Sequence, residues 1–124
     1  MRYFTLAPAL MVALLLSGCA NLGIYRLELE ALPQQGQAPV TVAFNAEIKG
    51  GLDTMPELYC KNQTWDFGDG QRRGVIGLCR AWRPGMEIDR QFGLHYTYKD
   101  PGAYEMSVQY GPLQSEPVQV TVMK

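Results

Sequence analysis

The chain has 124 residues, 47% of them hydrophobic and 19% charged, which is enough material for one folded domain. Its 11 basic and 12 acidic residues leave a net charge of −1, so no bulk field favours nucleic acid or an acidic surface. The longest apolar run falls short of the ~20 residues that a membrane-spanning helix needs.

The hydrophobic surplus sits at the front. Arg2 precedes an apolar run from Leu6 to Leu16, which has the n-region and h-region of an export signal. The run ends in Leu16-Ser17-Gly18-Cys19, a tetrapeptide that resembles the lipobox of bacterial lipoprotein precursors. The resemblance implies that residues 1–18 are a cleaved lipoprotein signal peptide and that residues 19–24 form a short tether. It also implies a diacylglycerol on the Cys19 sulfur and a further acyl chain on its amine. Two or more chains anchor stably, where one binds a membrane only marginally. Ala20 follows Cys19 where an aspartate would signal inner-membrane retention, so the resemblance implies the outer membrane. The plainer alternative is an ordinary secretory signal. Of three cysteines, lipidation of Cys19 leaves Cys60 and Cys79 to form a disulfide in an oxidising envelope compartment. No Cys-x-x-Cys spacing or nearby histidine supports a redox or metal-binding pair.

Residues 25–124 are written in period two. Leu27, Leu29 and Ala31 alternate with Glu28 and Glu30, and Val40, Val42, Phe44, Ala46 and Ile48 alternate with more polar neighbours. Tyr104, Met106, Val108 and Tyr110 repeat the pattern, as do Val118, Val120 and Val122. Sustained alternation predicts half-buried strands, and no helical stripe of useful length competes with it. Turn signals separate the runs at Pro33–Pro39, Gly50-Gly51, Gly68–Gly70, Pro84-Gly85, Pro101-Gly102 and Gly111-Pro112. About seven strands are expected, near 25–31, 39–48, 59–67, 72–82, 87–98, 103–110 and 116–123. Short strands with one apolar face each need a second sheet to cover them, which makes an all-β sandwich.

Trp65-Asp66-Phe67-Gly68-Asp69-Gly70 places two aromatics on one strand face and then supplies glycines for a tight turn. With Gly36–Ala46 before it and Tyr96–Val108 after it, this hexapeptide resembles the polycystic-kidney-disease-type (PKD) domain, an immunoglobulin-like sandwich of extracellular and envelope proteins. The resemblance implies a core built on Trp65, Phe67 and Tyr104. Asp100-Pro101-Gly102-Ala103-Tyr104 has the spacing of a tyrosine corner. Met106 stands where an antibody domain has its inter-sheet cysteine, with Phe44 or Val42 as its counterpart on the other sheet. Residues 71–93 depart from the family pattern. Cys60 has opposite parity to Trp65 and Phe67, so its bridge to Cys79 is expected outside the central core.

The chain carries little chemistry. His95 is the one histidine and lies in a strand pattern, with no Gly-x-Ser-x-Gly to make it part of a hydrolytic site. Asp66 and Asp69, with Asn45 and Asp53, invite a calcium reading, but turn and strand-end roles explain them without an ion. Neither a catalytic residue nor a metal or cofactor is expected beyond the lipid on Cys19. The candidate partner-binding residues are Arg72, Arg73, Arg80, Trp82 and Arg83, since Arg and Trp are enriched at interaction hot spots. The alternative for them is a solvated face. These features imply a membrane-anchored, non-catalytic envelope module for protein binding or assembly, with glycan or peptidoglycan recognition as the alternative and no nucleic-acid partner.

Overall fold

The computed structural model describes residues 23–124. The signal peptide expected at 1–18, Cys19 and most of the 19–24 tether lie outside the described residues. Among the described residues, no helix is long and apolar enough to cross a membrane.

Among the described residues nine strands form in chain order: β1 (Arg26–Leu32), β2 (Gln35–Gln37), β3 (Val40–Lys49), β4 (Gln63–Asp66), β5 (Arg72–Val75), β6 (Gln91–Tyr98), β7 (Gly102–Tyr110), β8 (Leu113–Gln114) and β9 (Val118–Met123). They make a three-stranded sheet, β1-β3-β6, and a larger one, β2-β9-β7-β4-β5, with β8 folded back on β7. The period-two pattern decides which faces meet. Val42, Phe44, Ala46 and Ile48 of β3 are buried, as are Met106, Val108 and Tyr110 of β7 and Val120 and Val122 of β9. Each such Val, Ile, Phe or Met side chain contributes about 1.5–3 kcal/mol on leaving water. The result is an immunoglobulin-like β-sandwich with its core between the two inner faces.

Three expectations need correction. Pro33–Pro39 is not only a turn: after β1 the chain crosses to the other sheet, and β2 pairs in parallel with β9, Gln35 opposite Thr121. The Ala38 N–H then donates to the Met123 carbonyl at 2.7 Å before β3 returns to the first sheet. One continuous segment therefore ties both sheets together. The strand expected at 59–67 shrinks to β4, because a 3₁₀ turn at Pro56–Leu58 and a left-handed Cys60 (φ 52°) break the extended path. The strand expected at 72–82 ends at Val75, and residues 76–90 run without regular structure to β6.

That irregular segment is nevertheless pinned. Ile88 is buried at the sandwich end, and its N–H donates to the Asp53 carbonyl at 2.8 Å. The Arg90 guanidinium donates to the carbonyls of Ile48, Gly50 and Gly51 at 3.0, 2.8 and 2.9 Å and pairs with the Asp53 carboxylate. One arginine thus closes the turn after β3 that Gly50-Gly51 opens.

Candidate functional site

The hexapeptide is structural, and its residues show why. Trp65 is 0% exposed; its indole N–H donates to Gln63 Oε1 at 2.9 Å, and its ring meets Phe92 edge-on at 5.9 Å. A buried indole that keeps its polar N–H satisfied costs nothing in unpaired polarity. Asp66 and Asp69 each accept a main-chain N–H two residues on, from Gly68 at 3.1 Å and Gln71 at 3.0 Å, which shapes the turn. Gly68 sits at φ 82°, where a Cβ would lie 2.3 Å from the Glu105 carbonyl oxygen. Only glycine fits there.

These contacts also occupy the carboxylates of the calcium reading. Asp66 pairs with Arg72 at 3.3 Å, Asp69 accepts the Tyr96 hydroxyl, and Asp53 is held by Arg90. Among the described residues, no group of three or more His, Cys, Asp or Glu is arranged to hold a metal ion. His95 lies exposed on β6 opposite Ala43.

Tyr104 makes the tyrosine corner: its hydroxyl donates to the Asp100 carbonyl at 2.7 Å. It is half-buried and packs against the core, stacking on Tyr98 at 4.6 Å, where Trp65 and Phe67 are fully buried. Phe67 stacks on Tyr96 at 3.7 Å, and the Tyr98 hydroxyl donates to the Phe67 carbonyl at 2.8 Å. Burial, followed by the bond to Asp69, pushes the Tyr96 phenol up to about 12. Burial raises Tyr98 and Tyr110 as well. These tyrosines stay neutral and lock the two sheets together at physiological pH.

The five candidate binding residues do not form one patch. β5 runs antiparallel to β4 with Arg72 opposite Asp66 and Val75 opposite Gln63. Arg72 and Arg73 therefore lie at the Asp66 end of β4, lining a groove with Phe67, Tyr96 and Tyr104. Arg80, Trp82 and Arg83 belong to the other end. There Tyr59 donates its hydroxyl to the Arg80 carbonyl at 2.7 Å, and its ring meets Trp82 edge-on at 5.1 Å. The sequence shows these arginines close together; the hairpin carries them apart.

This second end carries the expected disulfide and, held by it, an exposed loop that sequence reasoning missed. Cys60 and Cys79 are bridged, with Cα atoms 6.2 Å apart and outside the central core. The parity argument is not the reason, since Cys60 precedes β4. The bridge staples the 76–83 loop onto the segment before β4, aided by Gly77 N–H donating to Asn62 Oδ1 at 3.0 Å. Stapled there, Leu78 is 88% exposed and Ile76 70% exposed, while Trp82 on the same loop is half-buried. Their aliphatic character was legible, but outside any strand pattern nothing in the sequence said which way they point.

No protein-family model matches this sequence, and no curated protein does. Among solved structures, the PKD domain of an M14-like peptidase from Thermoplasmatales archaeon SCGC AB-540-F20 is similar, with a TM-score of 0.53 and 14% sequence identity. The match covers 80% of this chain and 94% of that one. With two sheets of this topology, a buried tryptophan on β4 and a tyrosine corner at the start of β7, the likeness shows the fold: a PKD-type, immunoglobulin-like β-sandwich.

Proposed function

We propose that this protein is a membrane-anchored lipoprotein of the bacterial cell envelope, held at the outer membrane by acyl chains on Cys19. Its PKD-type domain serves there as a non-catalytic module that binds another envelope protein. The observation that carries the reading is the stapled loop. Leu78 stands almost fully in water next to the disulfide-bonded Cys79, on the loop that also carries Ile76, Arg80, Trp82 and Arg83. An exposed aliphatic side chain is ordinary when isolated. On a loop already fixed by a covalent bridge, two of them next to Trp and Arg make a preordered contact surface, because little conformational entropy remains to be lost on docking. Glycan recognition is favoured less: it calls for exposed coplanar rings, and the large exposed hydrophobic side chains here are aliphatic or Met.

The test is site-specific photo-crosslinking from position 82 in cells expressing the full chain, followed by mass spectrometry. A discrete protein adduct that disappears with Leu78→Glu supports the reading. Failure to capture any protein, together with wild-type behaviour of a Trp82→Ala, Arg83→Ala variant, overturns it. Anchoring has a separate check. Cys19→Ser releases the domain into the soluble fraction, and continued membrane retention refutes the lipid anchor.

A further inference from the structure

β6 has one open rim. Among the described residues it pairs with β3 alone, and the Ile48 N–H donates to the Arg90 carbonyl at 2.8 Å at the start of that ladder. Hydrogen-bonded pairs recur at every second residue of an antiparallel ladder. The even-numbered residues of β6 therefore bond to β3, and the N–H and C=O groups of Gln91, Gly93, His95 and Thr97 point to the open side. Among the described residues, none of these groups has a main-chain partner.

Sheet edges are normally guarded by shortness, charge or proline. β2 has three residues, β5 has four with two arginines, and β1 carries Arg26, Glu28 and Glu30. β6 has eight residues, Gln-Phe-Gly-Leu-His-Tyr-Thr-Tyr, with no Lys, Arg, Asp, Glu or Pro. It is the unguarded edge.

The two sheets also end out of step. Trp65 against Phe92 and Phe67 against Tyr96 show that β6 lies across from β4. β5 comes next in the larger sheet, so that sheet extends one strand beyond β6. Arg73, paired with Trp65 and therefore on the same face, leans over Phe67 at 5.5 Å and looks into the slot beside β6. A groove of about 630 Å³ opens there, lined by Arg72, Arg73 and Lys99 as well as Asp69 and Asp100. Arg72 is paired with Asp66, and Asp69 is engaged by Tyr96. Among the described residues, Arg73, Lys99 and Asp100 have no ion-pair partner, which leaves the groove one positive charge in excess.

We propose that an extended segment of a partner protein adds to the open rim of β6 as a further strand, lying opposite β5 with an acidic side chain facing Arg73 and Lys99. Main-chain bonding supplies the affinity of such strand addition, and the groove supplies the choice of side chain. A second copy of this chain fits worse, since its own β6 brings no carboxylate from Gln91 to Tyr98. The stapled loop reaches only the Gln91 end of this rim, where Leu78 and Cys79 share a small cavity with Gln91 and Phe92, and the contact at Arg73 and Lys99 does not depend on it.

The test uses the full chain in detergent and a fluorescein-labelled peptide, Thr-Val-Thr-Val-Glu-Val-Thr-Val, followed by fluorescence anisotropy. Saturable binding is expected, weakened about threefold by Glu-to-Gln exchange in the peptide and to a similar extent by Arg73→Gln. Methylating the peptide nitrogens that face β6 is expected to weaken binding at least about thirtyfold, since several main-chain bonds are lost together. Bound peptide also slows amide exchange at Gly93, His95 and Thr97. No binding, equal binding of the methylated peptide, or equal binding of the Gln peptide overturns the proposal. So does a β6-to-β6 dimer of the chain in light scattering, if peptide does not dissociate it.

Discussion

Removing the Cys60–Cys79 bridge tests how the domain holds its most exposed loop. The bridged residues are 19 apart in sequence, and constraining an unfolded loop of that length stabilises the folded state by about 3 kcal/mol in the chain-entropy model. The native loop keeps other ties, namely the Tyr59 hydroxyl on the Arg80 carbonyl and the Gly77 N–H on Asn62, so a Cys60→Ser, Cys79→Ser variant still folds. Urea unfolding followed by Trp fluorescence reports the change. With a slope of about 1.5 kcal/mol/M for a domain of this size, the midpoint falls by about 2 M, and the slope rises as the denatured chain expands. Amide exchange then quickens first at residues 76–83, ahead of β4 and β7, and crosslinking from position 82 weakens with it. A midpoint shift below about 0.5 M refutes the entropic account. An unchanged exchange pattern refutes the view that the bridge orders the loop.

Three further outcomes follow from the packing. Gly68→Ala costs about 3 kcal/mol or more, because the left-handed penalty of about 1–2 kcal/mol is joined by a clash with the Glu105 carbonyl. Gly70→Ala, at φ 92° with open space around it, costs the backbone penalty alone, and equal losses in thermal melts defeat this distinction. Tyr104→Phe removes the hydroxyl bond to Asp100 and destabilises by about 1 kcal/mol; an unchanged urea midpoint means that the corner contributes nothing. The third concerns pH. The Tyr96 phenol titrates at about 12 in the folded chain against 10.0 for the free group, so folding favours its protonated form. Its contribution is complete below pH 10 and is lost as pH rises from 10 toward about 12. The melting temperature is therefore level from about pH 7 to 9 and falls above 10, less steeply in Tyr96→Phe. Equal stability at pH 8 and pH 11.5 contradicts this sign.

Much of the architecture can be read before folding, because side-chain direction in a strand repeats every two residues. Val42 to Ile48, Met106 to Tyr110 and Val120 to Val122 announce which faces are buried, and Trp65 to Gly70 announces a core strand and its turn. Short-range rules are weaker where the chain leaves the extended path. Cys60 turns left-handed, β2 forms from residues that look like a loop, and residues 76–90 reach β6 with no strand of their own. Each outcome depends on a partner distant in sequence: β9 for β2, Cys79 for Cys60, Asp53 for Ile88.

The same division governs function. Residue types alone determined the sandwich, since it depends on periodicity and local turn chemistry, and the lipobox resemblance, by setting Cys19 aside, left Cys60 to pair with Cys79. Tertiary structure alone decided that Arg72 and Arg73 part company with Arg80 and Trp82, that Leu78 faces water, and that β6 ends without a neighbour. A hairpin's direction and the unequal reach of two sheets are long-range geometry, and no local pattern encodes them.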